Sequence, residues 1–190
     1  VFPAAGQEQF VLRGEIAGMD GKKMYLVYSA ADGNQVMDSV VVEGRSFTFN
    51  GSLDAVSNAF LTKTVDMMKA SREGFATLWL EPGEMAFACP SGDLRDFSMS
   101  GSRTQDEQAE LERLQAPAMQ QLKPLLEAYH AAKDEAEREA LKKQMEPLQL
   151  QAQKAEEEFI RTHPDSYVSA SLLVYRVGAM DYESARAAYD

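Results

Sequence analysis

Glycine is nearly absent from the second half of this 190-residue chain: eleven of its twelve glycines lie at or before Gly101, and Gly178 alone follows. Glycine is costly inside a helix and useful in turns and bulges, so the deficit excludes a turn-rich second half and predicts helix there, after many short strands. Cysteine is scarcer still. Cys89 stands alone, which excludes an internal disulfide. Within Met85-Ala86-Phe87-Ala88-Cys89 it reads as a small core hydrophobe, because a reactive thiol wants a basic or helix-N-terminal setting. Basic residues are outnumbered, 19 against 30 acidic, for a net charge of −11 that neither half reverses. That balance lacks the Lys/Arg stripe nucleic acid requires and disfavours docking on anionic membrane. Apolar runs are short, and none approaches the roughly twenty residues of a spanning helix. A chain of this length nonetheless buries a core without metal or disulfide staples.

What is present before Gly101 is a series of short Val-, Phe-, Tyr- and Thr-rich runs separated by turn signals. We read strands at Phe10 to Ile16, Met24 to Tyr28, Gln35 to Val42, Ser46 to Gly51, Ala59 to Val65, Thr77 to Leu80, Met85 to Cys89 and Phe97 to Ser100. Met19-Asp20-Gly21 and Asp32-Gly33-Asn34 offer Asp-Gly turns between consecutive strands, Glu43-Gly44-Arg45 a tight hairpin, and Pro82-Gly83 a type II turn. Such spacing predicts an antiparallel β-sandwich or open barrel over residues 1–102. The alternation Ser46-Phe47-Thr48-Phe49-Asn50 marks a strand with one wet face. Trp79 reads first as core, and second, with Tyr25, as an aromatic platform on an exposed sheet face.

Residues 103–190 change to helical spacing. Leu111, Leu114, Ala118, Leu122, Leu125, Tyr129 and Ala132 form one stripe, and Leu141, Met145, Leu148, Ala152, Ala155 and Phe159 a second. A break at Lys133-Asp134, with Asp134 as cap, predicts an antiparallel helical hairpin. Thr104 with Glu107 matches a capping box at its start. Pro117, Pro124 and Pro147 predict kinks or a segmented first helix. Pro164 ends the second helix near His163, and Ser166 caps a short third. The fold class expected is therefore α+β, a β domain followed by a helical hairpin with short extra helices. Residues 181–189 repeat a helical pattern, and both chain ends, Val1-Phe2-Pro3 and Asp190, read as cuts in a longer polypeptide.

Chemistry is harder to find. The chain has no dinucleotide-binding glycine fingerprint, phosphate-binding loop, zinc-protease helix or nucleophile elbow. His130 and His163 fall near expected helix ends, where a cation meets the negative end of the dipole, and neither has a set of metal ligands around it. Glu81 and Glu84 flank the Pro82-Gly83 turn, and a carboxylate pair is the equipment of a glycoside hydrolase, although turn carboxylates are commonly only solvated. Glu156-Glu157-Glu158 reads as a solvated helix face, and Asn50-Gly51-Ser52 has the form of a glycosylation acceptor. No catalytic, cofactor-binding or metal residue is assigned on this basis.

Three segments nonetheless form an ordered pattern: Asp38 through Gly51, then Leu80-Glu81-Pro82-Gly83, then Ser100-Gly101-Ser102. In this order they resemble the DUF4369 domain. His163-Pro164-Asp165-Ser166 stands where that family has a His/Asn-Pro-Asp-Ser-like turn. The resemblance implies a β domain and helical follower placed ahead of a thioredoxin-like domain of the TlpA/ResA or AhpC/TSA type, in exported bacterial thiol-disulfide oxidoreductases. It implies a periplasmic or cell-envelope location, a thioredoxin-like domain beyond Asp190 as partner in cis, and no catalysis by this chain, which lacks the Cys-x-x-Cys motif. A homodimer through the helical stripes and a stand-alone ligand- or partner-binding β module are the alternatives the residues leave open.

Overall fold

The computed structural model describes residues 8–30, 32–66, 69–70 and 74–179. The chain divides into two compact units, residues 1–106 and 107–190.

The first unit contains eight strands: β1 (Glu8–Ile16), β2 (Lys23–Ser29), β3 (Gln35–Val41), β4 (Ser46–Leu53), β5 (Ser57–Thr62), β6 (Ala76–Leu80), β7 (Gly83–Cys89) and β8 (Ser98–Ser100). They form two four-stranded sheets, β4-β1-β7-β8 and β3-β2-β5-β6, and a β-sandwich rather than a closed barrel results. Alternation along each strand selects the inner face. Phe10, Leu12 and Ile16 of β1 and Phe47, Phe49 and Leu53 of β4 meet Met24, Leu26 and Tyr28 of β2 and Ala59 and Leu61 of β5 in one core. Burying a large apolar side chain of this kind contributes roughly 1.5–3 kcal/mol relative to leaving it exposed. A one-residue slip would turn the whole set to water, so the register is strongly specified.

Two glycines let aromatic rings lie flat across the sheet. Gly14 pairs with Phe47 across β1 and β4, and a methyl group at Gly14 would fall 2.0 Å from the Phe47 ring. Gly51 pairs with Phe10, and a methyl group there would meet both the Phe10 ring and the Tyr28 hydroxyl at 2.4 Å. Tyr28 thus reaches from one sheet to the other, edge-on to Phe10 at a ring separation of 5.2 Å. Burial, then the nearby Asp38 carboxylate, raises its pKa above the ordinary phenol value. Asp38 lies on the outermost strand β3 with the inward parity of Val36 and Val40, and its Oδ1 accepts the Ser39 N–H at 2.6 Å. On the far edge of the same sheet, the Trp79 N–H donates to Gln105 Oε1 at 3.0 Å.

The turns at Gly21, Gly33 and Gly44 close locally as expected, whereas Pro82 is a bend that leads straight into β7 at Gly83, and most of these connections join different sheets. Only Asp32-Gly33-Asn34 links a hydrogen-bonded pair, β2 and β3. The turns around Gly21 and Gly44 carry the chain from β1 to β2 and from β3 to β4, across the sandwich, and they fasten to each other: Asp20 Oδ1 accepts the Gly44 N–H at 2.8 Å. Pro82-Gly83 likewise crosses between sheets. One pairing departs from the antiparallel expectation, since β1 and β7 run parallel. Strand β5 ends at Thr62, short of Val65, because Thr62 and Thr64 bond to each other there instead of to a neighbouring strand.

After β8 come three helices among the described residues, α1 (Arg103–Ala131), α2 (Glu135–Thr162) and α3 (Tyr167–Ala179). The start of α1 differs from the Thr104/Glu107 box: Ser102 is the cap, its Oγ accepting the Gln105 N–H at 3.1 Å. Asp134 Oδ1 caps α2 through the Glu137 N–H at 2.8 Å, and Ser166 Oγ caps α3 through the Val168 and Ser169 amides. α1 runs unsegmented through Pro117 and Pro124, and α2 through Pro147. Each proline removes one backbone bond, and the carbonyls so freed, on Arg113, Gln120 and Lys143, belong to exposed residues that water can serve.

Within the second unit the hairpin is antiparallel. Glu110 faces His163 (3.8 Å) while Gln115 faces Glu156 (2.8 Å), so advancing along α1 means retreating along α2. Its buried apolar side chains among the described residues are Leu111, Ala118, Leu122, Ala132, Met145, Phe159 and Val168. The helical pattern expected over residues 181–189, and the start at Val1, lie outside the described residues.

Candidate functional site

The carboxylates at the Pro82-Gly83 turn are both committed to structure. Glu81 closes β6 and points at the first turn of α1, where Oε2 accepts the Arg103 N–H at 3.1 Å and Oε1 the Thr104 N–H at 2.6 Å. A carboxylate at a helix N-terminus satisfies orphan amides and meets the positive end of the dipole. Partial burial pushes the Glu81 pKa up, but the bonds from Thr104, Arg103 and Ser102 outweigh it and leave the group below its ordinary value. A glycosidase acid requires the opposite shift. Glu84 lies out on the sheet surface, 3.3 Å from Arg13.

Cys89 is fully buried, and its Sγ–H donates to the Asp93 carbonyl at 3.2 Å. Burial raises its pKa above the ordinary thiol value, more than the hydrogen bonds around it and the Lys63 charge lower it. That is the environment of a packing cysteine. His163 ends α2: its backbone N–H donates to the Phe159 carbonyl at 2.9 Å, and its ring stacks on Phe159 at 4.3 Å. His130 sits in the last turn of α1.

The acidic run follows the solvated face expected of it at Glu157 and Glu158, which are exposed, and departs from it at Glu156. Glu156 is half-buried between helices, accepting from Gln115 of α1 at 2.8 Å and Arg176 of α3 at 3.3 Å. Glu157 shares Arg176 at 3.5 Å, and Glu158 pairs with Arg161. Helical geometry explains the difference, since three consecutive residues span most of one turn and cannot share a face. Among the described residues no group of three His, Cys, Asp or Glu side chains is placed to hold a metal ion. No helix of the described residues is long and apolar enough to cross a membrane.

Two surfaces remain. The first is the outer face of sheet β3-β2-β5-β6. Ala76, Leu78 and Leu80 take the inner positions of β6, so Trp79 lies outward and half-buried instead of joining the core. The register sets Trp79 beside Asn58, Phe60 beside Val27 and Thr77, and Tyr25 between Ser39 and Thr62. Phe75 stands edge-on to Phe60 at 5.8 Å. Among these outward positions from β2, β3, β5 and β6 the only charge is Lys23, in a protein where 26% of residues are charged. Tyr25 and Trp79 were legible as candidates in the sequence; Phe60, Phe75 and Met37 became neighbours of theirs only through the pairing. The second surface is a groove of about 620 Å³ along α1, lined by Ala116, Met119 and Leu126 with Glu112, Lys123 and His130 at its rim. A second groove of about 580 Å³ crosses the outer face of the other sheet over Arg13, Glu15, Ala86 and Ala88.

Comparison with known proteins gives one result. No curated protein and no solved structure matches this chain. The family model described as "Domain of unknown function (DUF4369)" matches residues 10–108, from the first core phenylalanine of β1 through all eight strands, Glu81 and the capped start of α1. Spanning just over half of the sequence, that match places the chain in the DUF4369 family.

Proposed function

We propose that this chain is a non-catalytic interaction module of an exported bacterial thiol-disulfide oxidoreductase, positioning or dimerising a thioredoxin-like domain that follows it. The observation that carries the reading is how the reactive side chains are spent. Glu81 caps a helix, Glu84 pairs with Arg13, His163 closes α2 and Cys89 is sealed in the core, while the apolar and aromatic side chains left outward are those that bind other surfaces. The thioredoxin-like partner and the envelope location rest on the family resemblance drawn from the sequence.

The test is direct. In an insulin-reduction assay the chain is expected to show no activity, and native Cys89 to resist a thiol reagent that labels it fully in urea. Thiol exchange abolished by Cys89→Ala would overturn the reading. Reading the gene beyond Asp190 for a strand followed by Cys-x-x-Cys tests the partner separately.

The uncharged aromatic face supports a second reading, a stand-alone module that binds a ligand or partner over Trp79 and Tyr25. A blue-shifted Trp79 emission that acrylamide does not quench would remove it.

A further inference from the structure

The described residues of the second unit leave many large apolar side chains exposed. Seven apolar residues are buried among its described positions, while eight large ones are exposed, from Leu114 to Tyr175; the first unit reverses the proportion decisively. Single exposed apolar side chains are ordinary, and these eight are spread over α1, α2 and α3; only where several share a face do they mark a surface to be covered. On α1 they share one helix face: Met119 is 48% and Leu126 38% exposed, beside Ala116.

Charge decides what covers it. Glu112 and Lys123 flank the apolar floor eleven positions apart, and Lys123 makes no ion pair among the described residues. A two-fold interface is self-complementary: when residue i touches residue j of the partner, j touches i. Laying α1 antiparallel on a second α1, with the axis level with the Pro117–Ala118 bond but on the Ala116/Met119 face, sets Glu112 opposite Lys123, Gln115 opposite Gln120 and Ala116 opposite Met119, each twice. The residues so paired all line the groove. Opposite charges meet opposite charges, amides meet amides, and the long Met119 side chain meets the short Ala116, the large-on-small fit that packed helices favour.

We propose that the occupant of the α1 groove is a second copy of this chain, docked antiparallel about a two-fold axis with reciprocal Glu112–Lys123 pairs. The proposal rests on the interaction reading above and names its partner.

The experiment is sedimentation equilibrium of the full chain at low salt, with circular dichroism to verify that each variant is folded. The wild type is expected to dimerise, and Met119→Glu to be monomeric. Lys123→Glu sets two carboxylate pairs face to face and Glu112→Lys two ammonium pairs; each should weaken the dimer about tenfold or more, two attractive rim pairs having become repulsive. The double variant E112K/K123E restores the match and should return the constant to within about threefold of wild type. A wild type that stays monomeric to its solubility limit overturns the proposal, as does a dimer that survives Met119→Glu or a double variant as weak as the single ones. None of those outcomes touches the insulin assay or the Trp79 quenching, so failure here is separable from failure of the interaction reading.

Discussion

Replacing Gly101 by alanine should be among the most damaging single changes in the first unit. Gly101 follows β8 and precedes the Ser102 cap, with φ at +87°, where an L side chain costs roughly 1–2 kcal/mol. A methyl group there would also fall 2.4 Å from the Glu84 carbonyl oxygen and 3.1 Å from Met85 Cα, both backbone atoms of β7 that no rotamer change can withdraw. Forced overpacking of this kind adds about 1–3 kcal/mol. Gly44 supplies the control. Its φ of +65° carries the same conformational cost, but no atom lies within 4 Å of where its methyl would be, so Gly44→Ala should lose only about 1–2 kcal/mol. Urea unfolding followed by fluorescence reports this unit cleanly, because the one tryptophan, Trp79, lies in β6. With a slope of about 1–2 kcal/mol per molar for a domain of this size, Gly101→Ala should move the midpoint about 0.5–3 M below that of Gly44→Ala. Equal midpoints would refute the claim that backbone crowding, beyond φ alone, fixes glycine at the junction.

Two further outcomes follow from the same core and cap. Gly14→Ala should cost about 1–3 kcal/mol by driving into the Phe47 ring, and much less in a Phe47→Leu background; strictly additive losses in the urea cycle would disprove the contact as cause. Glu81→Gln should cost about 1 kcal/mol at neutral pH by weakening the bonds to the first amides of α1. Because the folded pKa of Glu81 lies below its unfolded 4.5, its contribution is present above that value and is lost as pH falls through the folded one. Thermal melts of wild type and variant should therefore converge below about pH 4.5, and a gap unchanged down to the acid limit would contradict the assignment.

Local order was readable from the sequence wherever its cause is local. Each strand's alternation, the Asp134 and Ser166 caps and the end of α2 before Pro164 depend on residues within a few positions of one another. Sheet membership does not. The Gly44 turn reverses the chain whatever the flanking strands then pair with, and the parallel union of β1 with β7 joins residues more than seventy positions apart. The start of α1 is mixed: Ser102 accepts from Gln105 three positions on, a local spacing that the Thr104/Glu107 reading passed over, whereas Glu81 serves the Arg103 and Thr104 amides from more than twenty positions back, where no spacing rule reaches. Trp79 looked like core because Thr77-Leu78-Trp79-Leu80 is apolar on both parities, and only the partner strand tells which parity faces in. The candidate surfaces are faces, not motifs, which is why Phe60 and Phe75 had no sequence signal at all.

The half-buried carboxylate on β3 has a consequence for how this protein behaves at high concentration. An outermost strand offers a row of unpaired backbone groups on which a neighbour's strand can add, and growth by that route ends in aggregates. A strand adding beside β3 would seal the Asp38 carboxylate from water, and it would have to displace that carboxylate from the Ser39 amide. Gln105 occupies the opposite margin at Trp79. Both margins of the β3-β2-β5-β6 sheet thus carry a polar group set against templating, which leaves growth by strand addition on that sheet disfavoured however crowded the solution.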